Sequence, residues 1–575
     1  MADDIIALSR FRAALARARG TRRLDELLAD PQAPALVPTL PALDVFYLIQ
    51  EVGLEASSEL VAMASPEQFQ AFLDLDAWQG LAPAPERAWP WLAALSEAGF
   101  ERLVFVLDHV DLELLTLLLS AEVRVYDMTQ EEEPESLDNA AWQSPDRFFL
   151  VELLSPPDTD RQAQIIRLLE DLYRGDLAFA RNLLMALRWE LGAAIEEEAL
   201  RFRVARLQDL GFPDPDEALR LYTPIDPASV KIGEGTQDPL DPQLDPGLAP
   251  PATLPAPYVD PLRRGGFLAD VLATISDERE LSRLFHAMTL LANHALGADR
   301  VAAGDLAAVE AGARRAAATL SLGLESVAGA DIARGRQALA TISLRRLFRV
   351  GASLAWQVAT LARVLVKTGR VGRARGRHDL LDPPLDAVFD ALLGPGHRPA
   401  YAVALDQPTT APDPAKPQHR AFASVADVRR AAHALAEAQL HADLVHDGLR
   451  LDPAALPAAR EDLRLGALLG TAAARIILGD TEVRKPLSPE EALRLRSLLC
   501  PTGDSPSPEA ITQVERAFAA VLEHAKRPAS PTGLAALVGD RLGAIARELG
   551  RLGPGTRPDP RFMASLWLDS PGLAG

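Results

Sequence analysis

Between about residues 40 and 125, one pattern of apolar positions occurs three times. In each copy the apolar residues fall three and four positions apart, which places them on one face of a helix. They are Val45, Leu48, Ile49 and Val52, then Phe69, Phe72 and Leu73, then Leu103, Leu107 and Val110. Helices this short cannot bury such a face alone and must stack on their neighbours, as in helical repeat arrays. The pattern therefore predicts a stacked array of short helices with these residues inside.

Longer runs with the same helical spacing follow this block. One of them is long enough for a central helix and consists of Leu347, Val350, Leu354, Val358, Leu361 and Leu365. Ala, Leu and Arg, which favour helix, are abundant, whereas alternating Val, Ile and Thr runs bounded by turns are hard to find. The sequence predicts an all-α protein, with a stacked short-helix repeat array at the N-terminus followed by larger helical bundle domains.

Proline-rich stretches mark the predicted domain boundaries. Ten prolines fall between Pro224 and Pro261, where few large apolar side chains are available to form a core. The predicted domains are a basic N-terminal helical segment (1–39), the repeat block (40–125), a helical extension (126–222), a linker (223–262), a helical domain with the long central helix (263–406), a connector (407–419) and a C-terminal helical domain (420–575).

Charge and cysteine content limit the expected partners and compartment. The net charge of −21 opposes binding to nucleic acids and anionic membranes, which are themselves polyanions. A single cysteine, Cys500, excludes an internal disulfide and is typical of a reducing cytoplasm. The longest apolar run, Val350 to Ala362, lies between two arginines and is too short to span a bilayer. We therefore expect a cytoplasmic protein with no membrane span and no nucleic-acid partner.

The repeat block resembles a known helical module. Each copy carries an apolar stripe, a short polar step and a restarted helix, at Ile49-Gln50, Leu73-Asp74 and Leu107-Asp108. This arrangement is similar to the N-terminal helical superhelix of MgtE magnesium transporters and to the repeats of the flagellar motor switch protein FliG. In those families the module is a regulatory or assembly domain, so the resemblance implies a regulatory or assembly role for the repeat block. Because no membrane-spanning run follows the block, we expect no transport activity.

A second resemblance covers most of the chain. It is carried by Tyr126-Asp127, Leu172 to Asp176, Arg188 to Leu191, Arg206 to Pro213, Thr319 to Glu325 and Leu344 to Gly351. These segments resemble an uncharacterised bacterial family of similar total length, domain of unknown function 6178. The resemblance implies a cytoplasmic bacterial protein and supplies no catalytic residue or substrate.

Acidic residues in the repeat block have two interpretations. Asp74 and Asp76, with Asp108 and Asp111, could bind a divalent cation through their carboxylates. Alternatively, Asp108 and Asp111 cap the helix that begins at Leu112, as N-terminal carboxylates commonly do. Capping explains these acids without an ion, so the sequence favours the structural role.

Other titratable clusters also favour structural roles. Glu196 to Glu198 occupy consecutive helical positions and spread around the helix, as on a solvated face. His286 and His294 lie among apolar neighbours and are predicted to be packing histidines. His433, Glu437 and His441 follow one side of a helix, but the two histidines are about 12 Å apart by helical rise, too far for one ion.

The basic segment at 363–377 is the other conspicuous cluster. It contains Arg363, Lys367, Arg370, Arg373, Arg375 and Arg377. Such side chains could contact an anion or a nucleic acid. No aromatic residues alternate with them to stack on bases, and a cationic helix C-terminus answers the helix dipole. The segment is therefore interpreted as a helix end.

Two classes of function remain open. The first is a non-enzymatic scaffold or regulatory protein that binds a protein partner through its helical array. Its predicted partner-binding residues lie off the apolar stripe and are Tyr47, Gln70, Asp74 and His109. The second is an enzyme or a cofactor- or metal-binding protein whose site assembles from distant helices. Known nucleotide, zinc and nucleophile motifs are absent from the sequence, so no catalytic, cofactor or metal residue is predicted.

Overall fold

The structure is a computed structural model of a mostly helical protein, with 68% helix and 5% strand. It describes residues 20–130, 137–154, 160–189, 192–233, 258, 266–394, 398–406, 418–452, 463–480, 482, 484–501, 505–527, 529–552, 556–560 and 563–569. The chain divides into two compact units, Met1–Val350 and Gly351–Gly575. We call them the first and second units and describe each by itself.

The first unit begins with eight short helices in the described part of the chain. They are α1 (Gly20–Leu28), α2 (Ala33–Leu36), α3 (Ala42–Val52), α4 (Ser58–Met63), α5 (Pro66–Asp76), α6 (Pro85–Ser96), α7 (Phe100–Leu107) and α8 (Leu112–Ser120). The start of α5 shows why these sequences form helices. Ser65 accepts a hydrogen bond from the Gln68 amide while the Gln68 side chain accepts one from the Ser65 amide, and together these satisfy two otherwise unpaired donors.

Most of the apolar stripe predicted for this block is buried, whereas Val52 is only half-buried. Leu48, Ile49, Phe72, Leu73, Leu103 and Leu107 are each at most 2% exposed, which confirms their assignment to the core. Around them, α3, α5 and α6 meet in an aromatic cluster. The Trp91 ring lies 5.8 Å from that of Phe46 and 5.2 Å from that of Phe72, centroid to centroid. Because such rings bury large apolar areas, this cluster holds α3, α5 and α6 together.

The predicted helical class is confirmed in the main, and small antiparallel sheets are added to it. Near the block, β1 (Trp78–Gln79) pairs with β2 (Ala82–Pro83). A three-stranded sheet follows in the order β3 (Val123–Asp127), β5 (Phe149–Leu153), β4 (Ala141–Gln143). Val123, Val125 and Asp127 point inward while the residues between them are more exposed, which is the two-residue period of a strand. That alternation was the available signal, and it is short enough to be missed beside the helical runs.

The rest of the first unit is built from longer helices. They are α9 (Asp160–Gly175), α10 (Leu177–Trp189), α11 (Gly192–Asp209), α12 (Pro215–Arg220), α13 (Gly266–Leu272), α14 (Glu278–Ala298), α15 (Leu306–Ala328) and α16 (Ile332–Thr341). The division between the units falls within α17 (Leu344–Lys367). In α17 the predicted stripe residue Leu361 is 54% exposed, because Ala362 occupies the buried phase of the helix instead.

The second unit is organised around one buried helix. Its elements after α17 are α18 (Leu385–Leu393), β6 (Tyr401–Ala402), β7 (His419–Arg420), α19 (Val425–Ala442), α20 (Leu465–Leu478), α21 (Pro489–Leu499), α22 (Pro508–His524) and α23 (Pro531–Gly550). Every residue of α20 from Leu465 to Arg475 is buried, and α21, α22 and α23 all pack against it. A helix that is apolar on all sides is expected at such a central position.

Several predicted boundaries fall outside the described residues. These are residues 1–19 of the basic N-terminal segment, the linker except for 223–233 and Tyr258, and residues 407–417 of the connector. The predicted domain boundaries therefore remain predictions.

Among the described helices, no single one is long and apolar enough to cross a membrane, although Ala33–Thr39 and Ala42–Val52, bent by 115° relative to each other, meet the length and composition criteria as a pair.

The buried stripe makes a direct prediction for stability. Replacing Leu73, which is fully buried, with Ala should lower the free energy of unfolding by about 2–5 kcal/mol, because the substitution removes apolar contacts and leaves a cavity. Leu81→Ala is the matched control, since Leu81 is 66% exposed and its loss should change stability by less than about 0.5 kcal/mol. Urea unfolding monitored by circular dichroism measures both. Equal effects from the two substitutions would contradict the assignment of Leu73 to the core.

Candidate functional site

Asp74, one of the predicted partner-binding residues, lies at the end of α5 and is fully buried. Its carboxylate accepts two hydrogen bonds from Arg206 of α11, at 2.6 Å from Nε and 3.0 Å from Nη2. Gln70, one turn earlier, donates to the same carboxylate at 3.2 Å. Burial raises the pKa of Asp74, and the hydrogen bonds and positive charge of Arg206 act in the opposite direction.

The same arginine reaches a second helix of the block. Arg206 Nη1 donates to the Asp111 carboxylate at 2.6 Å, and Gln70 Oε1 accepts from the Asp111 amide at 2.9 Å. Asp111 immediately precedes α8, but its side chain makes no capping hydrogen bond there. This corrects the expectation that it caps the helix. The network of Gln70, Asp74, Asp111 and Arg206, which we call the Asp74 network, instead ties α5 and α8 to α11.

Three of the four predicted partner-binding residues are not on the surface. Tyr47 is fully buried beside Tyr258, with ring centroids 6.1 Å apart, and Gln70 and Asp74 are buried beneath α11. Their exposure was predicted because they lie off the apolar stripe of the block. The expectation fails because Tyr258 and α11, both beyond residue 125, cover a second side of the short helices. The burial of Tyr47, Gln70 and Asp74 therefore indicates that they contribute to packing within the first unit.

His109, the fourth predicted residue, is exposed just after the end of α7. Its Nδ1–H donates to the Phe105 carbonyl at 2.8 Å, and its ring lies 5.1 Å from that of Phe105. Phe105 is 51% exposed, which is unusual for so large an apolar side chain. Its phase differs from that of the stripe residues Leu103 and Leu107, and this off-stripe phase was the signal by which the sequence could have identified it.

Acidic residues surround Phe105 on the same side of the helix. Glu101 lies one turn before it, Asp108 lies one turn after it, and both are exposed. Arg102 is half-buried, donates to the carbonyl oxygens of Ala62 and Ala64 and lies over the Phe105 ring, 5.4 Å from its centroid. Arg174 lies over the ring of Phe100, at the start of the same helix. We call Glu101, Phe105, Asp108 and His109 the α7 outer face. An exposed aromatic ring framed by carboxylates is suited to contact with an apolar side chain that has cations beside it.

The helix that carries His433, Glu437 and His441 is α19, in the second unit. His441 is completely buried, and neither of its ring nitrogens has a hydrogen-bond partner among the described residues. Burial, together with the charge of Arg541, lowers the pKa of His441 to about 3. The nearest Glu437 oxygen is 3.7 Å from Nε2, and burial raises the pKa of Glu437. In the described part of the chain, no three possible ligands converge to hold a metal ion.

Arg541 is shared with a second buried carboxylate. Its Nη1 lies 3.7 Å from Asp382, and Asp382 accepts a hydrogen bond of 2.7 Å from the Gly466 amide. A Cβ at position 466 would clash with the ends of the Arg541 and Asp382 side chains, so a larger residue there would force these side chains to move. Burial raises the pKa of Asp382, opposed by Arg541. Within this cluster His441 is fully enclosed, whereas the Glu437 side chain is 37% exposed and the Asp382 side chain 15% exposed.

The basic segment bonds within the second unit. Arg370 donates to Asp443 at 2.6 Å and to Asp447 at 2.8 Å. Arg373 donates to the Leu463 carbonyl at 2.8 Å, and the guanidinium of Arg363 stacks on Trp356. These contacts give the segment a structural role in holding the chain after α17.

In the first unit, Glu196 to Glu198 are all exposed on α11, as predicted for a solvated face.

One comparison with known proteins gives a family. The model of a family of unknown function, DUF6178, matches residues 3–569. The chain belongs to this family. The match confirms the resemblance inferred from the sequence and extends it over nearly the whole DUF6178 chain. No curated protein and no solved structure matches it, so the likeness of the repeat block to MgtE and FliG stays a prediction.

The Asp74 network should be critical for the stability of the first unit. Arg206→Met leaves a fully buried carboxylate without its cation and should cost on the order of 3 kcal/mol of unfolding free energy. Arg201→Met on the same helix is the control, because Arg201 is 69% exposed and pairs with a similarly exposed Glu198, an arrangement worth less than about 1 kcal/mol. Chemical denaturation of both variants measures the difference. A small effect of Arg206→Met would show that Asp74 is otherwise compensated.

His441 should make the second unit sensitive to acid. The folded pKa is about 3, whereas a histidine in the unfolded chain titrates near about 6.5. Between these values the unfolded chain binds a proton that the folded chain does not, so stability falls as the pH falls, by up to about 1.4 kcal/mol per pH unit.

His441→Leu should remove this contribution, and the comparison with wild type cancels the titration of the surrounding carboxyl groups to first order. His433→Leu, at an exposed position of the same helix, is the control. The measurement is urea unfolding from about pH 7 to about pH 4, the range in which the two protonation states differ. Parallel loss of stability in wild type and His441→Leu would contradict the assignment.

Proposed function

We propose that this DUF6178 protein is a non-enzymatic cytoplasmic scaffold or regulatory protein of bacteria, which acts by binding a protein partner. The observation that carries the proposal is the α7 outer face. Phe105 is 51% exposed although the neighbouring stripe residues of the same helix are buried. Exposed aromatic side chains with a polar surround are typical of protein-binding surfaces.

The stacked helices α3 to α8 are proposed to form a repeat array of the kind found in MgtE and FliG. Their apolar stripe is used internally, and the Asp74 network holds α11 across the ends of α5 and α8. In such an array, specificity comes from side chains that project from a rigid framework. The α7 outer face is the part of this framework that presents both an aromatic ring and titratable groups.

The partner is expected to offer a basic amphipathic segment. Glu101 and Asp108 are exposed beside Phe105, and Glu67 lies close enough for the charge of His109 to lower its pKa, after the effects of its own backbone and of Ser65. Arg102 is already engaged with two carbonyl oxygens and with the Phe105 ring. A segment that places one apolar side chain on Phe105 and lysine or arginine beside the carboxylates is complementary to this surface.

The alternative is an enzyme or a cofactor- or metal-binding protein. It requires titratable groups with shifted pKa values to line an accessible pocket. The large pKa shifts among the described residues of the second unit belong to His441, Tyr401, Arg420 and Asp427. Of these, His441, Tyr401 and Asp427 are at most 2% exposed, and Arg420 donates a hydrogen bond to Asp427. Their burial supports a role in packing, so the docking function is the better supported of the two.

Phe105→Ala should abolish partner binding without unfolding the protein. The test uses the full chain, tagged in its native host, with quantitative mass spectrometry of cross-linked and co-purified proteins. Wild type should recover a partner with a basic amphipathic segment. Phe105→Ala should reduce its recovery by about tenfold or more, as for the loss of an interface hot spot, while the melting temperature changes by only a few degrees.

Leu498→Ala is the matched control, because Leu498 is an apolar residue of the second unit with 44% exposure. It should leave recovery of the partner unchanged. The proposal is wrong if Phe105→Ala retains the partner at the wild-type level, or if Leu498→Ala loses it to the same extent.

A further inference from the structure

A pocket of about 250 Å³ lies between α14, α16 and the start of α17, within the first unit. Most of its lining is apolar and includes Leu284, Leu290 and Ile342, while Arg283, His294 and Arg345 supply its titratable groups. Pockets for drug-sized ligands usually measure about 300–1,000 Å³, so this pocket suits a smaller molecule. The docking function proposed for α7 makes no use of it.

The polar end of the pocket is built around a histidine and an arginine. His294 Nδ1 lies 2.8 Å from the Leu290 carbonyl oxygen. Because a carbonyl only accepts, Nδ1 carries the hydrogen, and Nε2 of the neutral ring accepts from Arg345 Nη2. Burial lowers the pKa of His294, the Leu290 hydrogen bond opposes this and the charge of Arg345 adds to it. The histidine therefore orients the guanidinium while adding no positive charge of its own.

The charge of the lining has one sign. Arg283 and Arg345 are cations, and none of the residues that line the pocket is acidic, in a chain with a net charge of −21. The Arg345 side chain is only 11% exposed, so its charge is poorly screened by solvent and acts strongly within the pocket. The remaining wall is formed mainly by leucine and isoleucine side chains, with Ala287 and Ser343. A charged end and an apolar wall in one small pocket match an amphipathic anion.

One carboxylate lies next to this cation. Glu217 of α12 approaches to 3.5 Å from both Arg345 Nη2 and His294 Nε2. Its side chain is 44% exposed, so it can turn toward solvent without a large loss of contacts. Glu217 is therefore placed to pair with the Arg345 guanidinium when the pocket is empty and to compete with an incoming anion.

We propose that this pocket binds a small aliphatic monocarboxylate, with the carboxylate on Arg345 and Arg283 and the alkyl chain against the apolar wall. A planar guanidinium matches a carboxylate in geometry and charge. The apolar wall favours a carboxylate with a hydrocarbon chain over a fully hydrated anion such as inorganic phosphate, since transfer of the chain from water to the wall is favourable.

The test is isothermal titration calorimetry of the full chain with hexanoate, compared with hexanamide and inorganic phosphate. Hexanoate should bind with one site per chain. Hexanamide, which keeps the alkyl chain and lacks the charge, and phosphate, which keeps the charge and lacks the chain, should each bind at least about tenfold more weakly. Equal binding of hexanoate and hexanamide, or no binding of hexanoate, would overturn the proposal without requiring any variant.

Substitutions then locate the site. Arg345→Gln should weaken hexanoate binding at least about tenfold, whereas Glu217→Gln should strengthen it, because it removes the competing charge. Arg346→Gln, the adjacent arginine outside the pocket lining, is the charge-matched control and should leave binding unchanged. If Arg345→Gln is unfolded by circular dichroism, Leu339→Trp replaces it, since a larger side chain at this lining position should fill the pocket and block binding. Hexanoate affinity that is the same in folded Arg345→Gln or Leu339→Trp as in wild type would overturn the assignment to this pocket.

Discussion

The arrangement of the first unit depends on a carboxylate that has no access to water. Asp74 is fully buried, and a buried carboxylate must be either neutralised or paired because its desolvation is costly. The partner that pairs it, Arg206, lies 132 positions later in the chain. Its guanidinium also reaches Asp111 at the start of α8. One cation therefore fixes α11 across the ends of two short helices, so the extension predicted for residues 126–222 is packed on the repeat block.

This constraint decides which surfaces remain for function. With α11 and Tyr258 covering one side of the short helices, Tyr47, Gln70 and Asp74 are buried. The α7 outer face is not covered in this way, and it keeps Phe105 half in solvent beside His109. The pocket near Arg345 is arranged similarly, because the buried cation there is held by a neutral histidine and one partly exposed carboxylate. In both places, ion pairs and hydrogen bonds between buried side chains determine which side chains remain accessible to a partner or a ligand.

The sequence predicted those features that depend on local periodicity. Apolar residues three and four apart identified the buried stripe of α3, α5 and α7, and Ser65 with Gln68 identified the start of α5. It failed where a distant segment changes the environment of a residue. Asp111 has the position of an N-cap and is instead paired by Arg206, and the strand β3 is stabilised by β5, which begins at Phe149. The spacing of apolar residues along a helix shows which side faces its immediate neighbours. It does not show that a segment distant in sequence covers a second side of the same helix.

A double-mutant cycle on Asp74 and Arg206 tests the dependence of the first unit on this pair most directly. Asp74→Leu leaves the Arg206 guanidinium without this carboxylate, and Arg206→Met leaves the Asp74 carboxylate without this cation. The double substitution removes both charges. We predict that the double variant is more stable than the sum of the single effects implies, with an interaction energy on the order of 1–3 kcal/mol, measured from urea unfolding. Strictly additive effects of the two substitutions would contradict it, since Asp74 and Arg206 would then contribute to folding independently of each other.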